Sequence, residues 1–139
     1  MTEIEQRFFD LTNVQRYRNR LRPLVEAPTL SLAAKRHSED MLRRRFFNHV
    51  NPDRKTHVDR IDAVVRGKSG ESAENLWMRS GPMTAANVAK IVDDAVAQLM
   101  ASRHHRANIV NRRYTHMGIG VAMTPSEVRV TQLFARFER

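Results

Sequence analysis

Near its C-terminus the sequence sets out two strands joined by a turn. Met117, Ile119, Val121 and Met123 alternate with Gly118, Gly120 and Ala122, so one face of the first strand is apolar and the other almost bare. A bare face lets another element approach the backbone closely. Thr124 to Glu127 turns the chain. Val128 to Phe137 then carries apolar residues on both faces, Val130 with Phe134 on one and Leu133 with Phe137 on the other. A hairpin apolar on both sides needs a covering layer on each side. With helices upstream, this predicts an α+β fold: a three-layer α-β-α sandwich with a C-terminal antiparallel β-hairpin.

The upstream periodicity supplies those helices. Ile4, Phe8, Leu11, Val14 and Leu21 predict a first helix ending before Pro23, and the linker PLVEAP leads to Pro28 at the first turn of a second. Leu30, Ala33, Ala34, His37 and Met41 form its apolar stripe, which makes His37 a hydrogen-bonded core residue. Arg43 to Phe47 closes this helix with positive charge, suited to the negative end of its dipole. A short helix is expected around His57 to Val65, followed by the polar turn RGKSGES. Glu74 to Met78 reads as a strand with Trp77 as a core anchor. Thr84 is the expected N-cap of a further helix carrying Val88, Ile91, Val92, Ala95 and Leu99.

The chain of 139 residues suits one domain, 1–139, and 41% hydrophobic content with 5 glycines and 5 prolines indicates a packed globule. The absence of cysteine excludes disulfides, thiolate nucleophiles and cysteine-ligated metals. No apolar run approaches the roughly 20 residues that cross a bilayer, and the charged stretch from Glu3 to Phe9 is unlike a signal peptide. The net charge of +9 favours acidic partners. Nucleic acid is the weakest of these, because no reading element accompanies the arginines.

Chemistry concentrates in three places. Asn48-His49 sits among the turn formers Asn51, Pro52 and Asp53, with Phe46 and Phe47 to anchor it; Glu74-Asn75 opens the middle strand; and Ser102 to Ile109, SRHHRANI, joins a long helix to the hairpin. His49, Glu74 and His105 are expected to meet in one cleft. His104, His57 and His116 are expected at the surface.

Taken together, these pieces resemble the CAP superfamily, and especially its cysteine-free bacterial SCP-like members. The matching residues are Asn13 and Arg16 before LRPL, TLSLAAKRHSEDM, Phe47-Asn48-His49, Asn51-Pro52-Asp53, Asp59-Arg60, Glu74-Asn75-Leu76, Ser102 with His105-Arg106-Ala107-Asn108-Ile109, Gly118 to Ala122, and Gln132 with Phe134. The resemblance implies two histidines and one or two glutamates facing a central cleft, with His49, Glu74 and His105 in those roles, and an extracytoplasmic or secreted, monomeric protein. Ser102 stands where many members carry a second glutamate, while Ala73, Arg54 and His104 replace glycines and Leu99 a tryptophan.

Two readings of the cleft follow. As a binding module, His49, Glu74, Asn75, Ser102, His105 and Arg106 would take up a polar, anionic or lipid ligand, a cell-wall polymer, or a protein partner. As a metal-assisted or acid/base hydrolase of peptide or cell-wall polymer, His49 and His105 would hold a divalent cation such as zinc, with Glu74 as base or third ligand. No catalytic residue is established by the sequence. A third, architectural reading has His105 bonding Glu74 to tie the last helix to the sheet.

Overall fold

The computed structural model describes residues 1–65 and 70–137. Most of the RGKSGES turn therefore lies outside the described residues.

Helix α1 spans Glu3–Arg18 and starts at a capping box between Thr2 and Glu5. It stops earlier than the apolar spacing predicts. Arg20 turns left-handed at φ 59°, and the N–H groups of Arg20 and Leu21 reach back to the carbonyls of Tyr17 and Arg16. That Schellman closure, not Pro23, ends the helix, and Leu21 lies beyond it. The expected linker contains a two-residue strand, β1 (Val25–Glu26). Helix α2 (Pro28–Arg44) begins on Pro28 as expected and ends with Arg45 in the left-handed region. Helix α3 (His57–Asp62) has its own capping box, Thr56 with Asp59.

Strand β2 (Ser72–Ser80) is followed by helix α4 (Val88–Ala101), whose N-cap is Asn87 and not Thr84. Thr84 and Asn87 bond each other's backbone N–H in a closed turn, which delays the helix by one turn. Helix α5 (Arg103–Ile109) and the hairpin of β3 (His116–Thr124) and β4 (Glu127–Ala135) complete the order.

The sheet runs β1-β3-β4-β2, with β1 parallel to β3 and the other pairings antiparallel. β2 is therefore an outer strand. Side-chain alternation sorts the core onto the two faces as the sequence predicts. Met117, Ile119, Val121, Val130 and Phe134 pack with Phe8, Trp77 and the apolar side of α4. Leu133 and Ala135 pack instead with Leu30, Ala33, Ala34 and Ile61. Burial of apolar area at about 25 cal/mol per Å² drives both contacts.

The bare face of β3 is where α2 lies. A Cβ built on Gly118 would sit 2.2 Å from the Leu30 carbonyl carbon, and one on Gly120 would sit 2.1 Å from the Lys35 nitrogen. Helix backbone meets strand backbone here. The Ser38 hydroxyl adds hydrogen bonds to the Gly120 carbonyl and to Thr131, at 2.8 and 2.7 Å.

Candidate functional site

The loop after α2 is shaped by hydrogen bonds from its own polar side chains. Asn48 Oδ1 accepts from the Val50 N–H, and Asn51 Oδ1 accepts from those of Asp53 and Lys55. Beneath it lies His37, 1% exposed, with Nε2 2.9 Å from the Asn48 carbonyl. A carbonyl only accepts, so this histidine carries its proton on Nε2. Burial, with the nearby Arg60 charge, pushes its pKa down. His37 is thus the core residue expected, and it fixes the residue before His49. Phe46 lies edge-on to its ring, whereas Phe47, expected as a second anchor, is exposed.

His49 and Glu74 meet directly. His49 Nδ1 lies 2.9 Å from Glu74 Oε1, with side-chain exposures of 53% and 0%. The other carboxylate oxygen accepts from Arg60 Nη2 at 2.6 Å, and Arg60 Nη1 donates to the carbonyls of His49 and Lys55. One guanidinium thus ties the loop to the carboxylate. Burial raises the Glu74 pKa, but the His49 hydrogen bond and the Arg60 charge outweigh it, leaving the group below its ordinary value. With Nδ1–H donated to the carboxylate, His49 presents Nε2 outward.

Asn75 faces the opposite side of the strand, opposite Gln132. Its amide nitrogen donates to the His105 carbonyl and to Gln132 Oε1, and its oxygen accepts from Asn108. Gln132 in turn donates to Thr12 on α1. This buried chain fastens α5 to the sheet. Asn75 was expected to face a ligand; its polar atoms are instead engaged in that fastening. Arg106, also expected at the cleft, bonds Asn19 near the end of α1 at 3.1 Å.

His105 is half-buried, with Nδ1 2.7 Å from the Ser102 hydroxyl. Burial first, then the His49 and His104 charges, lowers its pKa. Its ring Nδ1 meets Ser102 and not Glu74, contrary to the architectural reading. Of the three expected residues, His49 and Glu74 form a bonded pair, and His105 is linked to them by the His49 charge that helps to lower its pKa. His104 is exposed as expected.

Sequence reasoning gave Arg60 no role at the site; only its place in the Asp59-Arg60 pair marked it. His57 was read as an ordinary surface histidine, yet it is half-buried, with its pKa lowered by burial and responsive to Glu74, Arg60 and His49. His116 is half-buried too, with its ring 5.1 Å from that of Phe137.

Among the described residues no three His, Asp or Glu side chains form a metal-holding group. Both Glu74 oxygens are engaged, so it suits the role of orienting His49 better than that of a third ligand. The nitrogens suited to a cation are the Nε2 atoms of His49 and His105.

The chain spans less than half the length of the curated relatives it matches. It is 32% identical over 117 residues to the uncharacterised protein YkwD of Bacillus subtilis, covering 84% of this chain and 41% of that protein. An extracellular protein containing an SCP domain from Bacillus anthracis superposes with a TM-score of 0.77 at 28% identity, covering 96% of this chain and 40% of that one. An outer surface protein of Borrelia burgdorferi gives 0.78 at 18% identity, covering 99% and 95%, and shares the fold. The model of the cysteine-rich secretory protein family matches residues 9–134, and with the sandwich and the histidine positions already described, the chain belongs to this family, CAP.

Proposed function

We propose that this CAP domain is a binding module. Its cleft at the edge of β2, formed by His49 and His105 with Glu74 beneath, takes up a polar ligand offering hydroxyl or amide groups, such as a cell-wall polymer, without turning it over. One observation carries the reading: both oxygens of Glu74 are engaged, by His49 and Arg60, and its pKa is held down. A carboxylate so paired is a poor general base, whereas the outward Nε2 of His49 is well placed to bond a ligand. The extracellular and outer-surface neighbours support a place at the cell envelope or outside the cell.

A second reading, divalent-metal-dependent hydrolysis of peptide or cell-wall polymer, is favoured by the His49–Glu74 pair. A histidine whose Nδ1–H meets a carboxylate is fixed in tautomer and ring orientation, as metal-ligating histidines are. His49 and His105 would hold the ion, which when bound would supply Lewis acidity.

Calorimetry on the wild type, His49→Ala and His105→Ala distinguishes these, with zinc and a soluble disaccharide-peptide wall fragment titrated separately. The module predicts that the fragment binds, is recovered intact, and binds about tenfold or more weakly in both variants. Zinc uptake accompanied by cleavage of the fragment would establish the hydrolase instead. Fragment binding indifferent to both substitutions, or none at all, would refute the cleft.

A further inference from the structure

The arginine run Arg16-Arg18-Arg20-Arg22 divides on folding. Arg16 turns inward and is 1% exposed: its Nε donates to the Arg22 carbonyl at 2.8 Å, and its Nη1 donates to the carbonyls of Ile109 and Asn111 at 2.9 Å. One buried guanidinium thus holds the chain leaving α1 against the chain leaving α5. Arg18, Arg20 and Arg22 are left exposed beside the first, and Arg106 and Arg112 beside the second. Arg106 joins the two groups through its 3.1 Å bond to Asn19.

Among the described residues none of these five exposed arginines forms an ion pair, whereas Arg7 pairs with Asp93, Arg44 with Asp40 and Asp53, Arg60 with Glu74, and Arg79 with Asp94. Arg113, next to Arg112, is taken by Glu71. Five unanswered charges, against a net charge of +9, put much of the excess on one surface. The fold gains nothing from gathering them, because like charges repel. What answers them is an anion from outside the chain.

Shape and composition narrow the class. Two concavities, of about 410 and 610 Å³, share Arg20, Leu21 and Arg22; the first extends to Arg112 and the second to Arg18 and Tyr17. Guanidinium forks spread over neighbouring hollows suit anions repeated along a chain. A phosphodiester offers such a fork two charged oxygens, once per unit of a polymer. Nucleic acid asks in addition for aromatic platforms, and of the two tyrosines lining these hollows Tyr17 is exposed while Tyr114 is buried. A lipid surface asks for an apolar face beside the charge, and the aliphatic lining here is Leu21, half-buried.

We propose that this surface is a second binding site, for an anionic polymer of polyol or sugar units joined by phosphodiesters, whose phosphates Arg18, Arg20, Arg22 and Arg112 bond. It does not depend on the cleft: none of His49, Glu74 and His105 lines either hollow.

The probe is a synthetic poly(glycerol phosphate) of defined length, titrated into the full chain and followed by calorimetry. The expected result is saturable binding that weakens as salt rises and is retained in His49→Ala. Arg20→Gln/Arg22→Gln/Arg112→Gln should weaken it about tenfold, as the loss of three exposed ion pairs implies. Arg36→Gln/Arg54→Gln/Lys55→Gln lowers the net charge equally at other exposed positions and should weaken it less than about threefold. All six side chains are exposed, so both variants should keep the fold. Backbone amide resonances of Arg20, Leu21, Arg22 and Arg112 should move during the titration. Equal weakening in the two triple variants would reduce the site to diffuse charge, and equal binding of polyglutamate of the same charge would remove the preference for phosphate. Tighter binding of single-stranded DNA would make the surface a nucleic-acid site. Association with vesicles of equal parts phosphatidylcholine and phosphatidylglycerol, but not with the polymer, would make it a membrane site. Each of these outcomes, like no binding at all, would overturn the proposal.

Discussion

Replacing Arg60 with methionine keeps the length of the side chain and removes the cation from a fully buried carboxylate. Glu74 has 0% side-chain exposure and Arg60 has 11%, so neither charge is well screened by solvent. Breaking a buried pair from one side costs about 3–5 kcal/mol, because the remaining charge is left uncompensated. The bonds lost to the His49 and Lys55 carbonyls add little, since an exposed loop rehydrates. Urea unfolding at pH 7 should therefore show a loss of about 3–5 kcal/mol, and Arg60→Met/Glu74→Gln should cost less than the two single changes summed, by roughly 2 kcal/mol.

The pH dependence gives the sharper test. In the wild type the folded Glu74 pKa lies below its unfolded value, so its contribution is present above about pH 4.5 and is lost as pH falls. Without Arg60, burial dominates, the folded pKa rises above the unfolded one, and ionisation destabilises as pH rises. The gap between wild type and Arg60→Met should therefore narrow from pH 7 to pH 5. A loss under about 1 kcal/mol that does not change with pH would refute this account of the pair.

Gly118→Ala and Gly120→Ala should each destabilise by about 1–3 kcal/mol or more in urea, despite the stiffer unfolded chain, because the methyl has backbone rather than side chain to displace; unchanged midpoints would mean that α2 does not lie against β3. His37, His57 and His105 all have folded pKa values below the unfolded one, burial being the leading cause. Their contribution is full above about pH 6.5 and fades as pH falls through the folded values, so the urea midpoint should drop between pH 7.5 and pH 5.5, a window above that of Glu74. A flat midpoint across that range would contradict the burial of these rings.

The hairpin and the layering were legible because strand alternation and bare glycines are local statements: Gly118 and Gly120 announced a close neighbour, although not which one. Val25–Glu26 was illegible as a strand because two residues have no period, and only the edge of β3 makes them one. Thr84 misled because an N-cap and a closed turn use the same side-chain chemistry. At the site, His49 and Glu74 were read correctly as partners, since a loop histidine and a strand carboxylate are conspicuous. Arg60 was not, because an arginine on a short helix looks the same whether it faces water or a buried acid. Asn75 and Arg106 were assigned to the cleft by adjacency in sequence. Asn75 points to the opposite face from Glu74, and Arg106 reaches α1.

The strand order also governs when this chain can fold. Among the described residues β1 pairs with β3 alone and β2 with β4 alone, and α2 rests on the glycines of β3. Every pairing in the sheet thus waits for the segment from His116 to Ala135, the last regular structure in the described chain. On a ribosome, the preceding helices would emerge with their apolar faces uncovered and no sheet to receive them. Docking α2 then closes a loop of some 80 residues, an ordering that slows folding and lengthens the exposure of those faces to aggregation. The hairpin that most clearly marks the fold in the sequence is also the piece whose arrival allows the rest to fold.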